Sequence, residues 1–509
     1  MEIIVNRQIP SLEEIFKIAH AKDNELSITL TKGLRRNMMD CRAYVMEIVD
    51  KGDPVYGINT GLGALSNKKI DRNNLAQLQL NLIRSHCAGV GESFPREMVR
   101  VIMFLRVLCL SHGYSGIEPS IVDLLIKFLE KGITPLVPKQ GSVGASGDLA
   151  PLSHIALCLI GEGEVEYCGK KMLALNAIKK IKEAPAVLGP KDGLALINGT
   201  AVMGAQLSMN LFVARKLARL ADIANFLTLD AIKGTTQAYH LEAARLKPHP
   251  GQLVVCSNFA MLMSDSGILE SHRDCEKIQD PYSLRCAPQV HGAARQTITH
   301  AQDVLEVEMG SITDNPLLFF KTREVVSGGN FHGEALALAM DYLAMGLAEF
   351  ANISERRIEK MMNPVFSELP AFLAKKPGLE SGMMIAQVTA AALTSENKIH
   401  CHPASVDSIP TSTDKEDHVS MGVTSGHKLE KVVENLSNVL SIELLCASHA
   451  LEFHRPLKTS PALEEVVGVI RKKIPPMNED RVLSRDIQIV KNSLDFILQA
   501  VEEKIGKLG

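Results

Sequence analysis

The chain has 509 residues, enough for a large core and two or more packing units. Its 46% hydrophobic and 22% charged residues are ordinary for a soluble globular protein. A net charge of -3 gives no electrostatic footprint for nucleic acid or an acidic membrane surface. The N-terminal MEIIVNRQIPSLEEI lacks a basic region followed by an apolar run, so it does not read as a signal peptide. Apolar stretches such as LALAMDYLAMGLAEF are broken by acids before spanning length. The expected compartment is the cytoplasm, with neither a membrane nor a nucleic acid as partner.

In chain order, a short β-branched start (Ile3, Ile4, Val5) precedes a helix-like segment from Ser11 and a loop around Gly57 to Ser66. Beyond Glu97 the pattern is strongly helical. Segment 98–110 is apolar nearly all round, which predicts a buried helix. Segments 200–231 and 334–362 are further long helix candidates. In 427–454, Leu429, Val432, Val433, Leu436, Val439 and Leu440 fall on one stripe, and Pro456 ends the pattern. Long helices that are apolar over most of their circumference need one another for burial, which predicts a helical bundle and partners of the same chain. The ten cysteines are scattered, with no Cys-x-x-Cys pair, and read as buried thiols of a reducing compartment; nothing favours pairing Cys275 with Cys286. His400-Cys401-His402 lacks a second ligand pair at helical spacing, so no metal is expected.

The connections are unusually polar for so apolar a protein. They read YGINTGLG at 56–63, INGT at 197–200, IQDPYSLRCAPQ at 278–289, TDNPL at 313–317, SGGNFHGE at 327–334 and HPASVDSIPTSTDKEDHVSM at 402–421. Loops on a rigid scaffold are where sites are built, although Asn and Asp also stabilise turns without any function. Residues 141–154, GSVGASGDLAPLSH, crowd the smallest residues before Asp148 and an apolar segment. By itself this is a tight turn leading into a helix. No phosphate loop, His-Glu-x-x-His or Gly-x-Ser-x-Gly occurs, and Gly141, Gly144 and Gly147 follow no β-branched strand, so no nucleotide is expected.

Taken together, these segments resemble the aromatic amino acid ammonia-lyases. Matching motifs run from Tyr56 to Met421, with Ala145-Ser146-Gly147-Asp148 as the signature. The resemblance implies a mainly α fold of the ammonia-lyase/fumarase-like kind. It has a long central helical bundle (111–509) and a smaller mixed N-terminal domain (1–110) carrying the Tyr56 loop. It also implies that Ala145, Ser146 and Gly147 cyclise by themselves to a 4-methylidene-imidazol-5-one prosthetic group. The residue types suit that chemistry. The unhindered Gly147 nitrogen attacks the Ala145 carbonyl, Ser146 loses its β-hydroxyl as water, and a helix start at Asp148 stabilises negative charge on the ring.

By the same resemblance, Tyr56, Tyr282 and Glu416 are catalytic, and Tyr56 is the base that removes the β-proton. A free tyrosine has a pKa of about 10, so Tyr56 needs positive surroundings to work near neutrality, and an alkaline optimum is expected. Arg285 matches the arginine that pairs with the substrate carboxylate. Asn198, Gln279 and Phe331 match residues lining the site, while Asn315 and Pro316 read as a helix cap. His86, in NLIRSHCAGVG, and Glu416 resemble the histidine-specific members. An imidazole exchanges hydrogen bonds with His86 and is held by a carboxylate, whereas a phenyl ring makes the same buried charge a cost. Departures stand at Leu62, Glu380, Met383, Asp414 and Lys415, and Lys415 is placed to neutralise Glu416. The expected reaction is elimination of ammonia from L-histidine to give trans-urocanate. A phenylalanine or tyrosine lyase, an aminomutase on the same group, and a non-catalytic helical scaffold are the alternatives. The resemblance also implies a homotetramer whose sites draw on several subunits.

Overall fold

Ser11 opens the first helix. Its hydroxyl accepts from the Glu14 amide (3.2 Å), and the Glu14 carboxylate accepts from the Ser11 amide (2.8 Å), a reciprocal cap that starts Leu12–His20. The β-branched start forms Glu2–Val5, which pairs in parallel with Ser27–Leu30. In this computed structural model residues 1–61, 63–273 and 278–509 are described. Among them are 21 α-helices, and the strands form only small sheets of two or three strands. The mainly α expectation is met. Leu62 and Cys275 lie outside the described residues.

The 98–110 segment is the interior of the helix Arg96–Ser111, and every residue from Met98 to Ser111 is buried. The two arginines in it reach backbone carbonyls of neighbouring helices, though Arg100 Nη2 and Arg106 Nε and Nη1 have no partner. Arg100 donates to Ile18 O (3.1 Å) and Leu129 O (3.0 Å), and Arg106 donates to Ala195 O. Burial lowers the Arg100 guanidinium to about 10.

The long helices fall where the periodicity puts them, at Ala201–Ala231, Glu334–Met362 and Gly422–Ala450. The last begins five residues before the expected start and gives way to a 3-10 turn, Leu451–His454, ahead of Pro456. A fourth, Ala287–Met309, was not singled out because its sequence is too polar to stand out. Acids do not break the 334–362 segment. The helix runs for 29 residues, long and apolar enough to cross a membrane, yet most of it is buried inside the protein as a core helix. Asp341 is tolerated there because Lys428 lies 3.7 Å away.

The chain divides into two compact units, and both are discontinuous in sequence. One comprises 1–212, 302–340 and 403–427; the other comprises 213–301, 341–402 and 428–509. Four of the five bounds fall inside the long helices, and the fifth, at 402/403, follows the helix Met384–His400. In the first unit, Lys191 and Asp314 form a fully buried ion pair (2.8 Å). In the second, Arg357 reaches both oxygens of buried Glu443 (2.5 and 2.9 Å), which Thr228 and Ser354 also contact. Such pairs hold because each carboxylate oxygen finds at least one donor.

Candidate active site

The small residues of 141–147 form a backbone crossing. Gly144 and Gly147 have φ of +71° and +69°. Ala145 and Gly147 pair across Ser146, and Gly147 pairs in turn with Gly199. The Asp148 amide donates to Gly199 O (2.8 Å). A Cβ on Gly147 would run into the Gly199 backbone, so only glycine fits.

Asp148 does precede a helix, Leu149–Leu159, but its side chain does not cap it. It turns instead to the start of 201–231, where Oδ2 accepts from the amides of Val202 (2.8 Å) and Met203 (3.1 Å). The carboxyl is completely buried and Oδ1 has no partner. Burial therefore outweighs the two amide donors and pushes its pKa up to about 7.

The polar segment 402–421 folds over the tripeptide. Val419 and Met421 pack on Ala145, with Val143 and Ala404 at the margin. The Met421 amide donates to Val143 O (2.9 Å), and the Ser420 hydroxyl donates to Gly144 O (3.2 Å). This fixes Glu416 over Ser146, whose hydroxyl donates to Oε1 at 2.6 Å. Oε2 accepts from Thr411 (2.7 Å) and Ser412 (2.8 Å). Burial pushes the Glu416 carboxyl up, but the three hydroxyls and a nearby His86 charge more than compensate and hold it below the usual value. Lys415 makes no ion pair with Glu416 among the described residues; hydroxyls do the work expected of it. Thr411 and Ser412 were not singled out, although both lie in the same polar stretch.

His86 ends the helix Leu75–His86, and its Nδ1 donates to Leu82 O (2.8 Å). Nδ1 is thereby committed to its own helix, and Nε2 is the ring nitrogen left for another partner. Tyr56 belongs to the same neighbourhood, since Glu416 acts on it electrostatically, but its surroundings are not positive. Burial chiefly, then the Glu416 and Asp314 charges, push its phenol up, and a hydrogen bond from the Gly63 backbone offsets only part of this. Asn198 follows Asp192–Ile197 directly, and its buried Oδ1 has no partner. Phe331 is half-buried, beside His332, which contacts the 402–421 segment at His418 O (3.3 Å). Asn315 caps no helix. Its Oδ1 accepts from Ser327 (3.2 Å) and the Gly328 amide (2.8 Å) and so clamps a loop.

Tyr56, His86, Ala145, Ser146, Gly147, Asn198, Phe331 and Glu416 thus all belong to the first unit. Gln279, Tyr282 and Arg285 belong to the second. There Gln279 is exposed, Tyr282 is 69% exposed, and the Arg285 guanidinium stacks over the Tyr282 ring at 4.5 Å, with its Nε unpartnered. Of the departures, Glu380 accepts from the Lys376 amide (3.0 Å) and Met383 is buried. His400 and Cys401 gather no third ligand among the described residues. His400 faces Glu396 at 3.8 Å, and the Cys401 thiol donates to Ala344 O.

The family model for aromatic amino acid lyase matches residues 11–472. A histidine ammonia-lyase of Myxococcus xanthus is 46% identical over 493 residues, covering 97% of this chain and 96% of its own. The crystal structure of histidine ammonia-lyase from Trypanosoma cruzi superposes with a TM-score of 0.92 at 41% identity, over 99% of this chain and 96% of that one. The tyrosine aminomutase from Streptomyces globisporus superposes equally well (TM-score 0.93) at 33% identity, over the whole of both chains.

Proposed function

The chain belongs to the aromatic amino acid lyase family, and we propose that as a carbon–nitrogen lyase it eliminates ammonia from L-histidine to give trans-urocanate. The observation that carries the choice of substrate is Glu416, a carboxylate held ionised by three hydroxyls, bonded to Ser146 and facing His86. An imidazole uses such a carboxylate by a charge-assisted bond; a phenyl ring covers the charge and offers it no donor. The histidine ammonia-lyase relatives, 43% to 47% identical, support the same reading.

Ala145, Ser146 and Gly147 fit a 4-methylidene-imidazol-5-one. The bend across Ser146, the glycine-only packing of Gly147 and a β-hydroxyl bonded to the Glu416 carboxylate are the features that support it. That group supplies an electrophile and electron sink for the substrate's amine. The side chains do the rest. Tyr56 takes the β-proton. Glu416 and His86 hold the imidazole. The unpartnered Asn198 Oδ1 accepts a hydrogen bond from the substrate. Arg285 pairs with the substrate carboxylate, and Gln279, Tyr282 and Phe331 line the site, Tyr282 as a further proton-handling group. Because the fixed charges near Tyr56 are negative, the cation that eases its ionisation comes from outside the unit's own site.

A homotetramer with shared sites meets that need. It is supported by the exposed Tyr282 and by the exposed apolar side chains of Leu338, Tyr342 and Met345 on one helix and Ile385 and Val388 on another. The free cysteines among the described residues suit a cytoplasmic protein. The fold does not separate lyase from aminomutase, since a tyrosine aminomutase superposes as well as a histidine lyase. The test is incubation of the pure enzyme with histidine, phenylalanine and tyrosine separately, with the ultraviolet spectrum and free ammonia recorded. Urocanate with stoichiometric ammonia is expected. A cinnamate or coumarate spectrum overturns the substrate, and a β-amino acid overturns the lyase reading.

A further inference from the structure

We propose that His332, Glu334 and His418 form a site for a divalent transition-metal ion of the Zn2+ class, which ties the Glu416 loop to the start of the 334–362 helix. The three side chains each offer one ligand atom, and these atoms lie within 4.8 Å of one another. They come from two segments far apart in sequence. His332 and Glu334 flank Gly333 where the helix Glu334–Met362 begins, and His418 ends the polar part of the 402–421 segment. The segments already touch here, with His332 Nε2 donating to His418 O at 3.3 Å and the two imidazole centroids 5.7 Å apart.

A second, independent observation points to a cation. Glu334 Oε2 is buried and has no hydrogen-bond partner. An unanswered buried carboxylate oxygen is costly, and a bound cation removes that cost. Two imidazole nitrogens and one carboxylate oxygen suit zinc, cobalt or nickel. Magnesium and calcium prefer shells built from oxygen alone. Around a tetrahedral ion with bonds of ~2.1 Å, donor atoms stand ~3.4 Å apart. Separations of up to 4.8 Å are brought to that value by rotation of His418, which is exposed and also leaves the ion an entry path and a position for water. The backbone between the other two ligands packs closely, with the end of the Met203 side chain against Gly333.

Glu416 stands two residues before His418, so an ion held here restrains the loop that carries it. Neither the site nor its occupancy rests on the identity of the amino acid substrate. The experiment is calorimetric titration of the intact, chelator-stripped enzyme with Zn2+, together with the visible spectrum on adding Co2+. One ion per chain is expected, with affinity falling at least tenfold in His418→Ala and in Glu334→Gln, and the Co2+ bands lost in both. His418→Ala changes an exposed side chain, so the variant folds. Zn2+ is also expected to slow tryptic cleavage after exposed Lys415 in the parent and not in His418→Ala. The site is overturned if no ion is retained, or if both variants bind as the parent does. Unchanged cleavage overturns the restraint of the loop.

Discussion

Ser146 and Glu416 stand 270 residues apart and are joined by a 2.6 Å hydrogen bond, with the serine hydroxyl donating to the carboxylate. The carboxylate therefore touches the serine that the proposed ring formation dehydrates, and in the proposed function it also holds the substrate ring. Two roles follow, and a conservative substitution separates them. Glu416→Gln keeps an acceptor for Ser146 but removes the charge. The tripeptide is expected still to lose two waters by mass spectrometry, while kcat/KM for histidine falls by about 10²-fold or more, in the range for losing a charge-assisted contact or proton shuttle. An intact, unmodified peptide in that variant would move Glu416 from substrate handling to ring formation.

Tyr56 is pushed above the ordinary tyrosine range by burial and two carboxylates. A base must be ionised before it accepts a proton, so kcat/KM is expected to rise with pH from neutral into the alkaline range. In Tyr56→Phe, kcat drops by about 10²- to 10⁴-fold, with tripeptide mass and oligomeric state unchanged. A flat profile from pH 7 to 10 in the parent speaks against this tyrosine as the base.

Gly147 combines a left-handed φ of +69° with direct contact to the Gly199 backbone. Gly147→Ala meets both obstacles at once, the strained angle and the collision. The expected loss of stability exceeds about 1 kcal/mol, read as a lower Tm, and the two-water mass loss fails to appear. Ser146→Ala serves as the control: it removes the hydroxyl without strain, so it blocks the mass change at a parental Tm.

Asp148 has a folded pKa of about 7 against a reference of 3.8. Such a carboxyl takes up a proton on folding. Its contribution to stability is complete below 3.8 and is lost as pH rises through about 7. Asp148→Asn retains an oxygen for the Val202 and Met203 amides and removes the titration. Between pH 4 and pH 8 the Tm difference is expected to shift steadily in favour of the variant. Parallel Tm curves for the two proteins would show that Asp148 is charged in both states.

Much of the site was legible because its chemistry is local. Ala145, Ser146 and Gly147 are covalent neighbours, and ring closure depends only on their own atoms. The long helices were legible because a buried face repeats every few residues, so 200–231 and 334–362 stand out. Other details were hidden where the partner lies far along the chain. Asp148 does stand at a helix start, as its sequence suggests, yet its carboxylate bonds the amides of another helix that starts at Ala201. Lys415 adjoins Glu416 in sequence, yet hydroxyls from Ser146, Thr411 and Ser412 take the carboxylate. A base at Tyr56 needs positive surroundings to work near neutrality, and only the folded chain shows that the two charges acting on it are negative.

The sequence by itself determined the family, the tripeptide, the helical class and the identities of the polar residues gathered in loops. Those follow from bonded neighbours and from periodicity, which need no coordinates. Only the tertiary structure decided that Glu416 bonds to Ser146, that Asp148 is buried with one oxygen unanswered, and that Glu334 meets two histidines. It also assigned Tyr56 and Arg285 to different units. Hydrogen bonds and charges act over a few ångströms of space, and the chain order holds no measure of that distance.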